Sequence, residues 1–544
     1  LTSERKQVAK AAGVVGGVTM ISRVFGYIRD ACIALYFGAG TNADAFFVAF
    51  RIPNFLRRLF GEGSLTISFV PVFTETLEKK GELAAKQLAS ICFTAFSLIL
   101  ALTTVLGVLF APQIIMVLAP GFQGVAEKAE LTIFLTRVMF PYVLLVCLVA
   151  LAMGVLNSLK HFFAPAFAPV LLNVGMILGA VALSPFVDPP ILALAIGVLA
   201  GGVMQLVLQI PYLAKRGYLP RLVFKFNDPG LLKIALLMVP ALFGMAVHTV
   251  AVFINTIFAS MLKEGSVSYL FYADRLMELP LGVFAIAIGT AVLPSMSRQA
   301  ARADFVGLKD TMSFSLRLVL FITLPATAGL IALAGPIVNV LFQRGAFSYI
   351  DTVATAQALV FFCFGLPFFA ALRVIVPTFY SMKDTLTPVL LAMAALGMTL
   401  FSDLLFIGPV QYKDIAWISY LTTSMNITGP LAHGGLALAT SVGAAVNCIG
   451  LLIFLKRRIG KIGGRKIAGG FLRSCFAASV MGVSVWHLSS LFDFTTSTAD
   501  VSKILGLGLC LIAGVGIYTL FSYFTGSKEL AAMLKLVKNR FHKN

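Results

Sequence analysis

Guanidinium groups are the chemistry this chain offers. Arg23 and Arg29 lie in the first long apolar stretch, Arg51, Arg57 and Arg58 in the second, and Arg275 in a later one. One arginine near mid-bilayer costs about 2.5–3.5 kcal/mol even on the most lenient insertion scale. Five on lipid-facing surfaces would keep the first two stretches out of a membrane, so the sequence predicts a wet, protein-walled cavity. Carboxylates accompany them at helical spacing. Arg23 and Asp30 share a face, and Asp44, Arg51 and Arg58 follow at sevens with Glu62 one turn beyond. Pro53 breaks that helix, which is tolerated at depth where backbone lines a cavity. Asp274 and Glu278 flank Arg275 on one face. Asp30, Asp44, Glu62, Asp274 and Glu278 are therefore the charge-balancing or gating candidates. In the first two stretches five arginines outnumber three acids. Arginine stays ionised and forks onto paired oxygens, so the excess suits a diphosphate and would repel a cationic drug.

The elements that carry these residues are membrane helices. Mean hydropathy is +0.95, with 59% hydrophobic and 12% charged residues, which excludes a soluble globular protein. Apolar runs of about 20 residues predict fourteen spans, among them 12–38, 44–74, 88–118, 231–262, 467–489 and 503–525. Runs this long in lipid are helices. The first run, interrupted by Arg23 and Arg29, reads as a span rather than a cleavable leader. The net charge of +19 gathers in alternate loops, at Lys79, Lys80 and Lys86, at 215–225, at 298–309 and at 456–466. The positive-inside rule then puts both termini in the cytoplasm. Juxtamembrane topology explains this basic charge, and no nucleic-acid partner is expected. The seven cysteines fall inside spans without metal spacing and read as small apolar fillers. No catalytic triad, metal cluster or nucleotide motif is present, so the expectation is a transporter and not an enzyme, with no cofactor.

A repeat organises the chain. Arg51 matches Arg275, Pro112 matches Pro336 and Gly121 matches Gly345 at an offset of 224, while Pro71/Pro294 and Lys160/Lys383 match at 223. Six spans per copy is an even number, so the copies enter the membrane in the same sense, as in transporters with parallel repeats. The predicted architecture is all-α: two parallel six-helix lobes, 1–225 and 226–458, with the cavity between them, and two extra helices with a basic tail in 459–544. GRKIAGG (464–470) reads as a flexible joint, and 411–433 as an outer-loop insertion with a short helix around Trp417. Arg344, at an outer turn, reads as a helix-end charge.

The stretches SRVFGYIRD (22–30), FGAGTNADAFFVAFRIPNFLRRLFGEG (37–63), FYADRLMELPLGV (271–283) and LFQRGAF (341–347) resemble the MurJ (MviN) family of lipid II flippases, of the MOP exporter superfamily. The resemblance implies movement of an undecaprenyl-diphosphate-linked peptidoglycan precursor from the inner to the outer leaflet of the bacterial cytoplasmic membrane, by alternating access. It implies that Arg23, Arg29, Arg57 and Arg275 bind the diphosphate. Asp44 and Glu278 would join gating or charge-balancing pairs, and the last two spans would guide the polyprenyl tail. Some relatives resemble sodium-coupled carriers with an acid on span seven. Asn255 stands near that place, with Asp384 and Asn447 as further cation candidates, and the drive is expected to be Na+, H+ or the membrane potential. The partners expected are lipid II or a related polyprenyl-diphosphate lipid and membrane lipids, around a monomer. The competing readings are a flippase for another polyprenyl-diphosphate glycan and a drug/cation antiporter of the same superfamily.

Overall fold

The computed structural model describes residues 3–57, 65–407, 431–496 and 501–533. The side chains of 3–12, 14, 66–67 and 240–249 are outside that description, so Arg58, Glu62, His248 and the Trp417 segment are not placed. Among the described residues the chain is helical throughout. Contacts divide it into two compact units, Leu1–Gly265 and Ser266–Asn544.

The first unit holds α1 (Ser3–Phe37), α2 (Thr41–Leu56), α3 (Leu65–Leu109), α4 (Ala111–Leu118), α5 (Ala126–Met139), α6 (Tyr142–Ser158), α7 (Phe163–Leu178), α8 (Leu192–Lys215) and α9 (Pro229–Ser260). Its core packs Phe69 and Phe73 of α3 against Leu151 and Val155 of α6 and Ile234 of α9. Helix α9, expected at the start of the second lobe, thus packs with the first unit. Helices α7 and α8 cross through glycines. A Cβ on Gly175 would lie 2.6 Å from the Gly197 carbonyl oxygen, and one on Gly179 would lie 2.4 Å from that of Ala193. Small residues one turn apart allow this backbone approach in a membrane, where packing rather than water exclusion drives helix association.

The second unit holds α10 (Ser266–Pro280), α11 (Ile286–Ala301), α12 (Phe305–Ala332), α13 (Ala334–Phe342), α14 (Tyr349–Ser381), α15 (Leu386–Phe406), α16 (His433–Ile459), α17 (Gly464–Ser489) and α18 (Val501–Phe524). The last two helices are tied to α12 and α13. Tyr518 donates to the Phe321 carbonyl at 2.7 Å, Arg317 meets the buried Glu529 at 3.5 Å, and Gln343 donates to the Thr495 carbonyl at 2.9 Å. On α18, Leu507, Cys510, Gly514 and Tyr518 are buried while Leu505, Leu509 and Ile512 are at least half exposed. An apolar helix bare on one face is stable only against lipid.

Eleven described helices are long and apolar enough to cross a membrane by length and composition. Of the other expected spans, the first and seventh fall on α1 and α9, some of whose side chains are outside the description, and the second, 44–74, runs across residues 58–64, which are outside it too. The structure corrects two local expectations. The basic segment around Lys79 and Lys80 is helix up to one corner at Gly81 (φ 84°, ψ 177°), a conformation that glycine adopts without a Cβ clash. GRKIAGG is not a joint. It forms the first turns of α17, and the corner lies just before it, at Gly460 and Gly463 with φ of 81° and 75°.

The repeat is also visible in the backbone. Left-handed corners at Gly38, Gly81, Lys160 and Gly217 correspond to Gly265, Ala303, Lys383 and Gly460. The first three pairs are offset by 227, 222 and 223 residues and the last by 243. The jump falls after α15, where the sequence carries its insertion. A lysine at φ near +60° is costly for a side chain with a Cβ, and here it recurs at equivalent corners. Each lysine corner is held by an arginine at the C-terminal end of a later helix. Arg216 donates to the Leu159 carbonyl at 2.5 Å, and Arg458 pairs with Asp384.

Candidate functional site

Arg29 is the most enclosed of the described arginines, 7% exposed. Its Nε and Nη2 both donate to Asp30 Oδ1, at 2.9 and 2.7 Å, and its Nη1 donates to Asn173 Oδ1 at 2.8 Å. Asn173 belongs to α7 and donates its own Nδ2 to the Ser22 carbonyl at 3.1 Å, so α7 holds both the guanidinium and the backbone of α1 about two turns before it. Charge-assisted, forked bonds of this kind are the strong ones. A buried guanidinium needs such partners, because an isolated charge there would cost several kcal/mol. Arg23, one face round on the same helix, is half-buried.

Helix α2 presents its charges differently. Arg51 Nη1 donates to the Val252 carbonyl at 3.0 Å and to the Thr256 hydroxyl, which ties α2 to α9. Arg57 Nε donates to Asn54 Oδ1 at 3.0 Å, one turn back. Asp44 is 1% exposed and accepts from Lys128 Nζ at 2.8 Å and from the Gly265 backbone N–H at 2.9 Å. Beside it, Glu264 accepts from both the backbone N–H and the hydroxyl of Thr41 at 2.7 Å. The first turn of α2 is thus fastened to the corner that closes α9. That corner also meets the segment before α5, because Gly121 donates to Ser260 Oγ at 3.2 Å. A Cβ on Gly121 would sit 2.1 Å from the Ser260 carbonyl oxygen, so only glycine fits.

In the second unit Arg275 Nη1 pairs with Glu278 Oε2 at 3.1 Å, three residues on, and its guanidinium lies 5.4 Å from the centre of the Phe271 ring. The pair is 33% and 45% exposed. It stands just before a π-helical turn, Leu281–Ala285, and such wide turns recur at functional sites. Asp274 is half-buried on the same helix. Arg344 donates to the Val340 carbonyl at 2.9 Å, the helix-end role expected of it.

Two of the cation candidates, Asp384 and Asn447, belong to the second unit. Asp384 accepts from Thr387 N and Thr387 Oγ1 at 3.0 and 2.8 Å, so it caps α15 while pairing with Arg458. Asn447 lies eleven residues before Arg458 on α16, about 16 Å along the axis, so the two cannot share an ion. Asn255 is half-buried on α9. Among the described residues no three histidines, cysteines or acids gather as a metal site would need.

Sequence reasoning missed Lys128, Glu264, Asn173 and Thr256. Only Glu264, beside the glycine that turns α9 into α10, left a trace in the sequence, as a charge at a corner.

A repeated helical plan with ionised groups buried in its helices defines a multi-pass membrane transporter. Among solved structures, a multidrug resistance MATE family transporter of the MOP superfamily in an inward-facing conformation shares the fold, with a TM-score of 0.62 at 16% identity over 83% of this chain and 99% of that one. A lipid II flippase MurJ in an inward closed conformation is nearer, with a TM-score of 0.75 at 27% identity, covering 94% of this chain and 98% of that one. The family model described as lipid II flippase MurJ matches residues 33–505. A MurJ homologue of Vibrio cholerae is 36% identical over 93% of this chain and 94% of its own length. The lipid II flippase MurJ of Burkholderia cenocepacia is 34% identical over 94% and 96%. The chain belongs to the lipid II flippase MurJ family.

Proposed function

We propose that this chain moves lipid II, a diphosphate-linked peptidoglycan precursor, from the inner to the outer leaflet of the bacterial inner membrane by alternating access. The observation that carries the reading is family membership over nearly the whole chain together with Arg23, Arg29 and Arg57 in the first two helices and Arg275 on α10. In this reading those arginines hold the diphosphate. Arg51, tied to α9, sets the angle of α2. Asp30 and Glu278 keep Arg29 and Arg275 oriented until cargo oxygens compete for their N–H groups. With both termini cytoplasmic, the Asp44 and Glu264 contacts lie toward the outer end of the first unit. The membrane potential can supply the drive, at about 2.3 kcal/mol per charge per 100 mV; ion coupling through Asn255 is the second route.

The test is replacement of a resident flippase in a conditional strain. Growth, with lipid II becoming reachable by an external probe, is the supporting result. Growth failure at normal protein level would instead favour another polyprenyl-diphosphate cargo.

A further inference from the structure

Lys128, outside the set of arginines proposed to hold the diphosphate, is 6% exposed and pairs with the buried Asp44 carboxylate. Its Nζ donates to Asp44 Oδ2 at 2.8 Å and lies 4.3 Å from the centre of the Phe122 ring. The same Asp44 oxygen accepts the Gly265 N–H. The second acid, Glu264, holds the Thr41 hydroxyl and N–H. The Thr41 hydroxyl first, then its N–H, and last the Lys128 charge keep the Glu264 carboxyl below its ordinary value, against the pull of partial burial. One buried ammonium thus serves two acids that fasten the start of α2 to the α9–α10 corner.

We propose that Lys128 is the positioning residue of this latch, its charge rather than its bulk holding the Asp44 carboxylate aimed at the Gly265 N–H. The proposal deepens the flippase reading and rests on it. The physical reason is direct. A buried carboxylate that loses a charged donor loses a charge-assisted bond, about twice as strong as a neutral one, and with it the direction in which its oxygens are held. The latch then parts more often, although every other contact in it is intact. Phe122 adds a ring face that favours a cation at this spot over a neutral side chain.

The experiment uses the full-length protein with Ser260→Cys as a reporter, since position 260 is buried beneath Gly121 until the latch parts. Labelling of that cysteine by a charged maleimide is followed by mass spectrometry, with thermal melting as the folding control. Lys128→Met, which keeps the bulk, should speed labelling about 5- to 10-fold, and Lys128→Arg should restore the slow rate. Labelling of Lys128→Met at the unaltered rate, or equally fast labelling of Lys128→Arg, overturns the proposal. Where Lys128→Met does not accumulate, the double variant Asp44→Asn/Lys128→Met removes both buried charges together. It should label as fast as predicted for the single variant, and a slow rate overturns the proposal. The flippase reading fails separately, if the unaltered protein does not expose lipid II.

Discussion

Replacing Arg29 by lysine keeps the charge and removes the fork. In the structure three N–H groups of Arg29 make bonds of 2.7–2.9 Å, two to Asp30 Oδ1 and one to Asn173 Oδ1. A lysine Nζ set at one of these acceptors leaves the other unserved, so at least one bond of a charged donor is lost. Such a bond contributes about 1.5–3 kcal/mol, or roughly 10- to 150-fold in any equilibrium that Arg29 controls. If Arg29 grips the cargo, that equilibrium is the hold on the diphosphate. Arg29→Lys should therefore reduce lipid II exposure in a depleted strain by at least about tenfold, with the protein still present in the membrane. Asn173→Leu leaves Arg29 in place but removes its orienting partner, and should give a smaller loss in the same direction. The assay is labelling of outer-leaflet lipid II after depletion of the resident flippase, normalised to protein level. Full activity of Arg29→Lys would refute the reasoning, because a diffuse positive field would then suffice.

Three further outcomes are expected. Glu278→Gln should leave thermal stability within about 1 kcal/mol, as half-exposed ion pairs contribute little, while transport falls; a large drop in melting temperature would make the pair structural. Gly121→Ala forces a Cβ against the Ser260 carbonyl and should lower stability by about 1–3 kcal/mol, and an unchanged melting temperature would show that the contact is slack. Lys383→Gly, at φ 60°, should leave stability equal or raise it by up to about 1 kcal/mol, whereas Gly81→Ala should lower it. Melting curves of the two in parallel check the left-handed corners.

The charges within apolar runs were legible because hydrophobicity and arginine are read one residue at a time. The repeat was legible too, and the structure adds its own signature in paired left-handed corners. What the chain hid was partnership. Asn173 looks like any polar residue in a span, and nothing in its neighbourhood says that it will meet a residue 144 positions away. Lys128, between Glu127 and Glu130, reads as a solvated helix end until folding brings Asp44 to it. Asp384 read as a possible ion ligand since a lone acid near a span end has no visible partner in sequence, and Arg458 lies 74 residues away.

The central claim is that buried guanidinium groups carry a diphosphate lipid across the bilayer. It is tested most directly by purified protein in vesicles loaded with fluorescent lipid II, following accessibility at the far leaflet with the intact chain and with Arg275→Ala. The account predicts exposure that depends on protein for the intact chain and none above background for the variant. Equal exposure for both, at equal incorporation, would contradict it.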